Sequence, residues 1–227
     1  MHPAIWIYGG VHHDPGTRQQ FLRALAQHPT PPHFVAVEWE QSVFDRFVAW
    51  RPWIAERLEA QWDFLTHEDC HELSLALAWE ADAYIERFRG VEPQWLESGF
   101  QEGDLQQLNC QEECQARCLF NRLTCPPTVS EQLAGIAPPE LRSKHEIIDR
   151  VWKETWFHAW GETEGSERFE RDARWAAAIT TRSRGLHDGW IAVVVGRQHA
   201  DPEGHPQRLH GLLSSAGYHV IPVKLAP

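Results

Sequence analysis

The chain has 227 residues, 42% of them hydrophobic and 23% charged, a composition that excludes collagen-like, fibrous and disordered classes. Its 32 acidic against 21 basic residues leave a formal net charge of -11, and no basic tract can follow a phosphate backbone, which excludes nucleic acid as a partner. The apolar runs fall far short of the roughly 20 residues of a membrane-spanning helix, and the N-terminus shows no leader pattern, so a cytoplasmic protein without membrane insertion is expected.

Residues 4 to 8 form a short apolar run closed by Gly9 and Gly10, and residues 17 to 27 show helical spacing through Phe21, Leu22 and Leu25. Pro31 and Pro32 interrupt this pattern, and a second strand-like run, Phe34 to Val37, ends at Glu38. The first 38 residues thus read as a β-α-β unit. Residues 41 to 165 read mostly as helices, with one stripe through Val43, Phe44, Phe47 and Val48 and another through Leu73, Leu75, Ala76 and Trp79. In Ser166 to Thr181 the apolar stripe runs through Phe169, Ala173, Ala176 and Ile179. A second β-α-β unit follows, with strands Trp190 to Val195 and Tyr218 to Val223 around a helix Gln207 to Leu213.

The two units align without a gap. Gly9 to Pro15 and Gly196 to Pro202 both read G-x-x-H-x-D-P, and the same register matches Gln20 with Gln207, Leu22 with Leu209 and Leu25 with Leu212. This is the pattern of an internal duplication. The expected architecture is an α/β fold: a central, mostly parallel sheet built from two related β-α-β units, with a large helical insertion over the ligand edge. All 227 residues are assigned to one domain, with 1–40 and 166–227 as the core halves and 41–165 as the insertion. A core of this size needs no metal to fold, so a metal would serve function.

Each motif His follows its strand by three residues, at the carboxyl end where open α/β sheets bind ligands. His12 and His199 are therefore candidates for a shared site, neutral imidazole being a common metal ligand. His13 is a rival to His12, but only His12 keeps Asp-Pro in register. Asp14 and Asp201 have a plainer role as helix caps, with Pro15 and Pro202 at the first helical position. Glu38, at a strand end facing the same edge, is a third ligand, a proton acceptor for water, or simply solvated. Asp172 sits on an apolar stripe, where a buried carboxylate needs a partner or a metal. Arg171 beside it either orients a substrate or points into solvent.

Cys110, Cys114 and Cys118 recur every four residues, but eight residues of helix rise about 12 Å, too far for all three to bind one zinc. Together with Cys125 and Cys70 they read as buried thiols. Of the 12 Trp, Trp39, Trp50, Trp53, Trp62, Trp152, Trp156 and Trp160 read as core, or as an aromatic wall over the sheet edge.

Ile7 to His12, Val35 to Glu38, Glu170 to Trp175 and Val193 to His199 resemble, in order and approximate spacing, the TraB/PrgY/GumN and Tiki group, more distantly related to erythromycin esterases and ChaN-like haem-binding proteins. The middle of the chain carries no matching motif. The resemblance implies an α/β fold with two related halves and, by its Tiki-like members, a metal-dependent protease using manganese or cobalt. His12 and His199 would then bind the metal, Glu38 would be ligand or base, and Arg171 and Asp172 would support the site. The expected substrate is a peptide or small molecule with an amide or ester bond. The alternative is a non-catalytic module that binds haem or another planar ligand, or sequesters peptides.

Overall fold

The apolar runs pair as parallel strands of one sheet in a computed structural model of the chain, which describes residues 2–10, 15–61, 66–76, 78–97 and 167–225. Among these residues the strands are β1 (Ala4–Gly10), β2 (Val35–Val37), β3 (Pro93–Trp95), β4 (Trp190–Gly196) and β5 (Val220–Lys224), in the order β3-β2-β4-β1-β5. The helices are α1 (Pro15–Leu25), α2 (Gln41–Gln61), α3 (His67–Leu75), α4 (Glu167–Arg182), α5 (Arg197–Ala200) and α6 (Leu209–Ser215), with a 3-10 turn at Trp79–Ala83. None of the described helices is long and apolar enough to cross a membrane.

The chain divides into two units. The first comprises Met1–Val48, Ala78–Ser98 and Glu164–Pro227 and contains the whole sheet; the second comprises Ala49–Leu77 and Gly99–Thr163. In the second, Thr66 and Asp69 cap the start of α3 reciprocally, Arg51 donates to the Leu75 carbonyl at 3.2 Å, and Cys70 is buried.

Alternation along the strands sorts the core of the first unit into two layers. Ile5 and Ile7 of β1, Ala36 of β2, and Ile191, Val193 and Val195 of β4 pack with Trp175 and Ile179 of α4 and Leu209 and Leu213 of α6. On the opposite face Tyr8 meets Phe21 of α1 at 5.3 Å between ring centroids, and Phe21 meets Trp79 at 4.8 Å. Each such large side chain contributes about 1.5–3 kcal/mol when fully buried. Beside this aromatic layer, Arg18 of α1 donates to the buried Asp82 at 2.6 Å.

The strand register departs from the repeat seen in the sequence, in which 187 residues separate equivalent positions. Ile5 of β1 lies opposite Val220 of β5, whereas its repeat equivalent, Ala192 of β4, lies opposite Val35 of β2, two residues beyond His33, the repeat equivalent of Val220. Gly10 pairs with Gly196, one residue off the sequence repeat, which equates Gly9 with Gly196. Because side chains alternate, that shift sends repeat equivalents to opposite faces of the sheet.

Three expected elements are corrected. β3 falls inside the stretch read as helical; it is a three-residue edge strand that begins with Pro and carries Gln, so no apolar run marks it. The stripe Leu73 to Trp79 does not lie on one helix, because α3 stops at Leu75 and Ala78 takes a left-handed conformation (φ 56°) before the 3-10 turn. Asp201 does not cap a helix: it accepts from the Glu203 amide at 3.2 Å within a turn, and α6 starts only at Leu209.

Candidate functional site

The carboxyl ends of β2, β3 and β4 bring Glu38, Glu97 and the G-x-x-H segment of β4 to one edge of the sheet, and α4 lays Arg171 and Asp172 across it. The Glu38 amide donates to the Val194 carbonyl at 3.1 Å, which extends the β2–β4 pairing by one residue and fixes where the side chain starts. Its Oε2 accepts from the Gly196 amide at 2.5 Å, and its Oε1 lies 3.4 Å from Arg171 Nη2 and 3.8 Å from His199 Nε2. The adjoining Trp39 donates its indole N–H to the buried Glu80 at 3.0 Å.

His199 does not occupy a turn. It lies in the short helix α5, buried, with its Nδ1 2.5 Å from Asp172 Oδ1. Of the two glycines at the end of β1, Gly9 allows this placement by leaving room, and Gly10 makes room for α1 and the 3-10 turn. A Cβ on Gly9 would collide with Ala200 of α5, and one on Gly10 with Thr17 and Trp79.

Asp172 is fully buried and well partnered. Besides His199 it accepts from the Leu209 amide at 3.2 Å, at the start of α6, and lies 3.6 Å from Arg208 Nη1. The buried stripe of α4 runs through Asp172, Trp175, Ala176 and Ile179, at i, i+3, i+4 and i+7, whereas Ala173, expected on the stripe, is exposed.

These contacts assign the histidine's tautomer. A carboxylate only accepts, so Nδ1 carries the proton toward Asp172. A guanidinium only donates, so Nε2 accepts from Arg171 Nη2 at 2.9 Å and the ring is neutral in this arrangement. Arg171 also lies over the Trp175 ring at 4.7 Å, and Trp175 approaches His199 at 4.8 Å between centroids.

Glu97 was not anticipated. It follows β3, 3.6 Å from Arg171 Nη1, and burial pushes its carboxyl pKa up while Arg171 pulls it back. One signal was available in the sequence: Trp95-Leu96-Glu97 repeats the apolar-then-Glu ending of Val37-Glu38, and Val37 pairs with Trp95. Trp175 and Arg208 complete the surroundings without having been singled out for a role.

Four of the expected site residues, Glu38, Arg171, Asp172 and His199, therefore converge. His12, with His13 and Asp14, lies outside the described residues, as do Cys110, Cys114, Cys118, Cys125, Trp62, Trp152, Trp156 and Trp160, and the side chains of Trp50 and Trp53. Among the described residues no three His, Cys, Asp or Glu side chains converge on a metal position. Two donors do meet the distance condition for sharing one: ligands on a single ion at about 2.1 Å lie at most about 4.2 Å apart, and Glu38 Oε1 and His199 Nε2 are 3.8 Å apart. No family model, curated protein or solved structure matches the chain.

Proposed function

We propose that the chain is a cytoplasmic hydrolase of peptide amide or ester bonds, metal-dependent like the Tiki-type proteins its motifs resemble. The observation that supports this most directly is the buried Asp172–His199 pair, whose Nε2 edge faces Glu38 and Arg171 at the carboxyl end of the parallel sheet. Asp172 holds the imidazole in one orientation and tautomer, and leaves Nε2 as the donor atom. Glu38, held at Oε2 by the Gly196 amide, directs Oε1 into the same space, as a metal ligand or as the acceptor of the attacking water's proton. Arg171 supplies positive charge to the carbonyl oxygen as it becomes negative. His199 and Glu38, with His12 by the family pattern, would hold manganese or cobalt, which when bound acidifies water and polarises a carbonyl.

Haem carriage is less well supported, because Trp175, the aromatic ring beside His199, is fully buried and packed against Arg171. The test is metal analysis of the purified chain, followed by manganese-supported cleavage of a peptide and an ester library. Replacing His199 or His12 by Ala is expected to lower turnover by about 10²–10⁴. Activity in both variants equal to the parent chain's would overturn the proposal.

A further inference from the structure

We infer that Arg171 is a resident competitor for the cation position of this site: its guanidinium occupies the acceptors that a divalent ion would take, and an ion loads only as the arginine leaves. The inference rests on the metal-dependent reading above and adds a residue that sets the site's cation affinity.

The geometry leaves no room for both. Arg171 Nη2 stands 2.9 Å from His199 Nε2 and 3.4 Å from Glu38 Oε1, over the two donors that lie 3.8 Å apart. Nε2 has one lone pair, and it accepts the arginine's proton. An ion bound along that lone pair at about 2.1 Å would lie within about 1 Å of Nη2. Steric overlap and like charge both exclude this. Loading is therefore an exchange of one cation for another on the same acceptors.

The arginine is also placed to leave. Its side chain is 36% exposed, and among the described residues its Nε has no hydrogen-bond partner. Two contacts other than His199 and Glu38 hold the guanidinium. The Trp175 face lies beneath it at 4.7 Å, and Glu97 lies 3.6 Å from Nη1. A rotation that withdraws Nη2 from Nε2 can therefore keep the charge paired with Glu97.

The experiment is titration of the full-length, metal-stripped chain with Mn²⁺ by calorimetry and with Co²⁺ by visible absorption, comparing the parent with Arg171→Met, Arg171→Gln and Arg171→Lys. Arg171→Met and Arg171→Gln are expected to bind Mn²⁺ at least about tenfold more tightly than the parent, and Arg171→Lys, which retains the charge, by less. Circular dichroism identifies a variant that fails to fold, and the two neutral replacements allow the comparison to rest on either. Equal affinity in the parent and the folded neutral variants would overturn the competitor while leaving a metal-dependent site in place. Binding by none of the folded chains would overturn both.

Discussion

Asp172 is the residue on which most of the site depends. Its carboxylate is fully buried, and it meets a histidine, a helix-start amide and an arginine at once. Replacing one carboxylate oxygen by an amide nitrogen leaves one of its two donors without an acceptor, a cost of about 1–3 kcal/mol for a buried orphan. Asp172→Asn keeps the shape and loses the charge. An amide can also present its N–H to Nδ1 and reverse the tautomer, so turnover is expected to fall by on the order of 10²–10⁴ while the far-ultraviolet spectrum stays unchanged. Steady-state kinetics check this, and a variant with parental kcat would show that the tautomer does not matter. Asp172 was legible in the sequence because a carboxylate on an apolar stripe is a local anomaly. Glu97 was not, because its neighbours come from another crossover.

Elements meet closely where the motif glycines sit. α5 crosses the end of β1 at Gly9, where an added Cβ would collide with Ala200 and lie 3.2 Å from the Arg197 Cα. Gly9→Ala should therefore push α5 outward and shift His199 relative to Glu38, lowering stability by about 1–3 kcal/mol and turnover further. Ala200→Gly in the same chain removes the colliding group and is expected to restore part of both losses. Denaturant unfolding and kinetics on the single and double variants decide it; absence of any rescue would place the cause elsewhere. Four strands could be read from the sequence because each is a short apolar run suited to the interior of a parallel sheet. β3 could not, since an edge strand of three residues beginning with Pro needs only its pairing with Val35–Val37 to exist.

For the whole molecule, two histidines that the proposed chemistry does not use, His28 and His210, make stability depend on pH near neutrality. His28 stacks on Trp190 at 3.8 Å between centroids and shares a 2.8 Å hydrogen bond with Tyr8, while burial, with Arg87 nearby, lowers its pKa. Burial lowers His210 in the same direction. At these two histidines the native chain binds fewer protons than the unfolded chain as pH falls through about 6.5, so their contribution to stability is complete above that value and declines below it. Urea midpoints at pH 5.5 and 7.5 are expected to differ accordingly, and His28→Gln to narrow the gap. An unchanged gap would mean that His28 does not carry the dependence.

By itself the sequence determined where four strands lie, that the G-x-x-H-x-D-P motif occurs twice, and that one acid is buried, because burial and periodicity are written locally in each segment. Only the tertiary structure decided that repeat equivalents face opposite sides of the sheet, that β3 delivers a further carboxylate, and that Arg171 rests on His199. Arg171 and Glu38 are 133 residues apart in the chain, and their meeting is set by strand order and crossover, which no local pattern encodes.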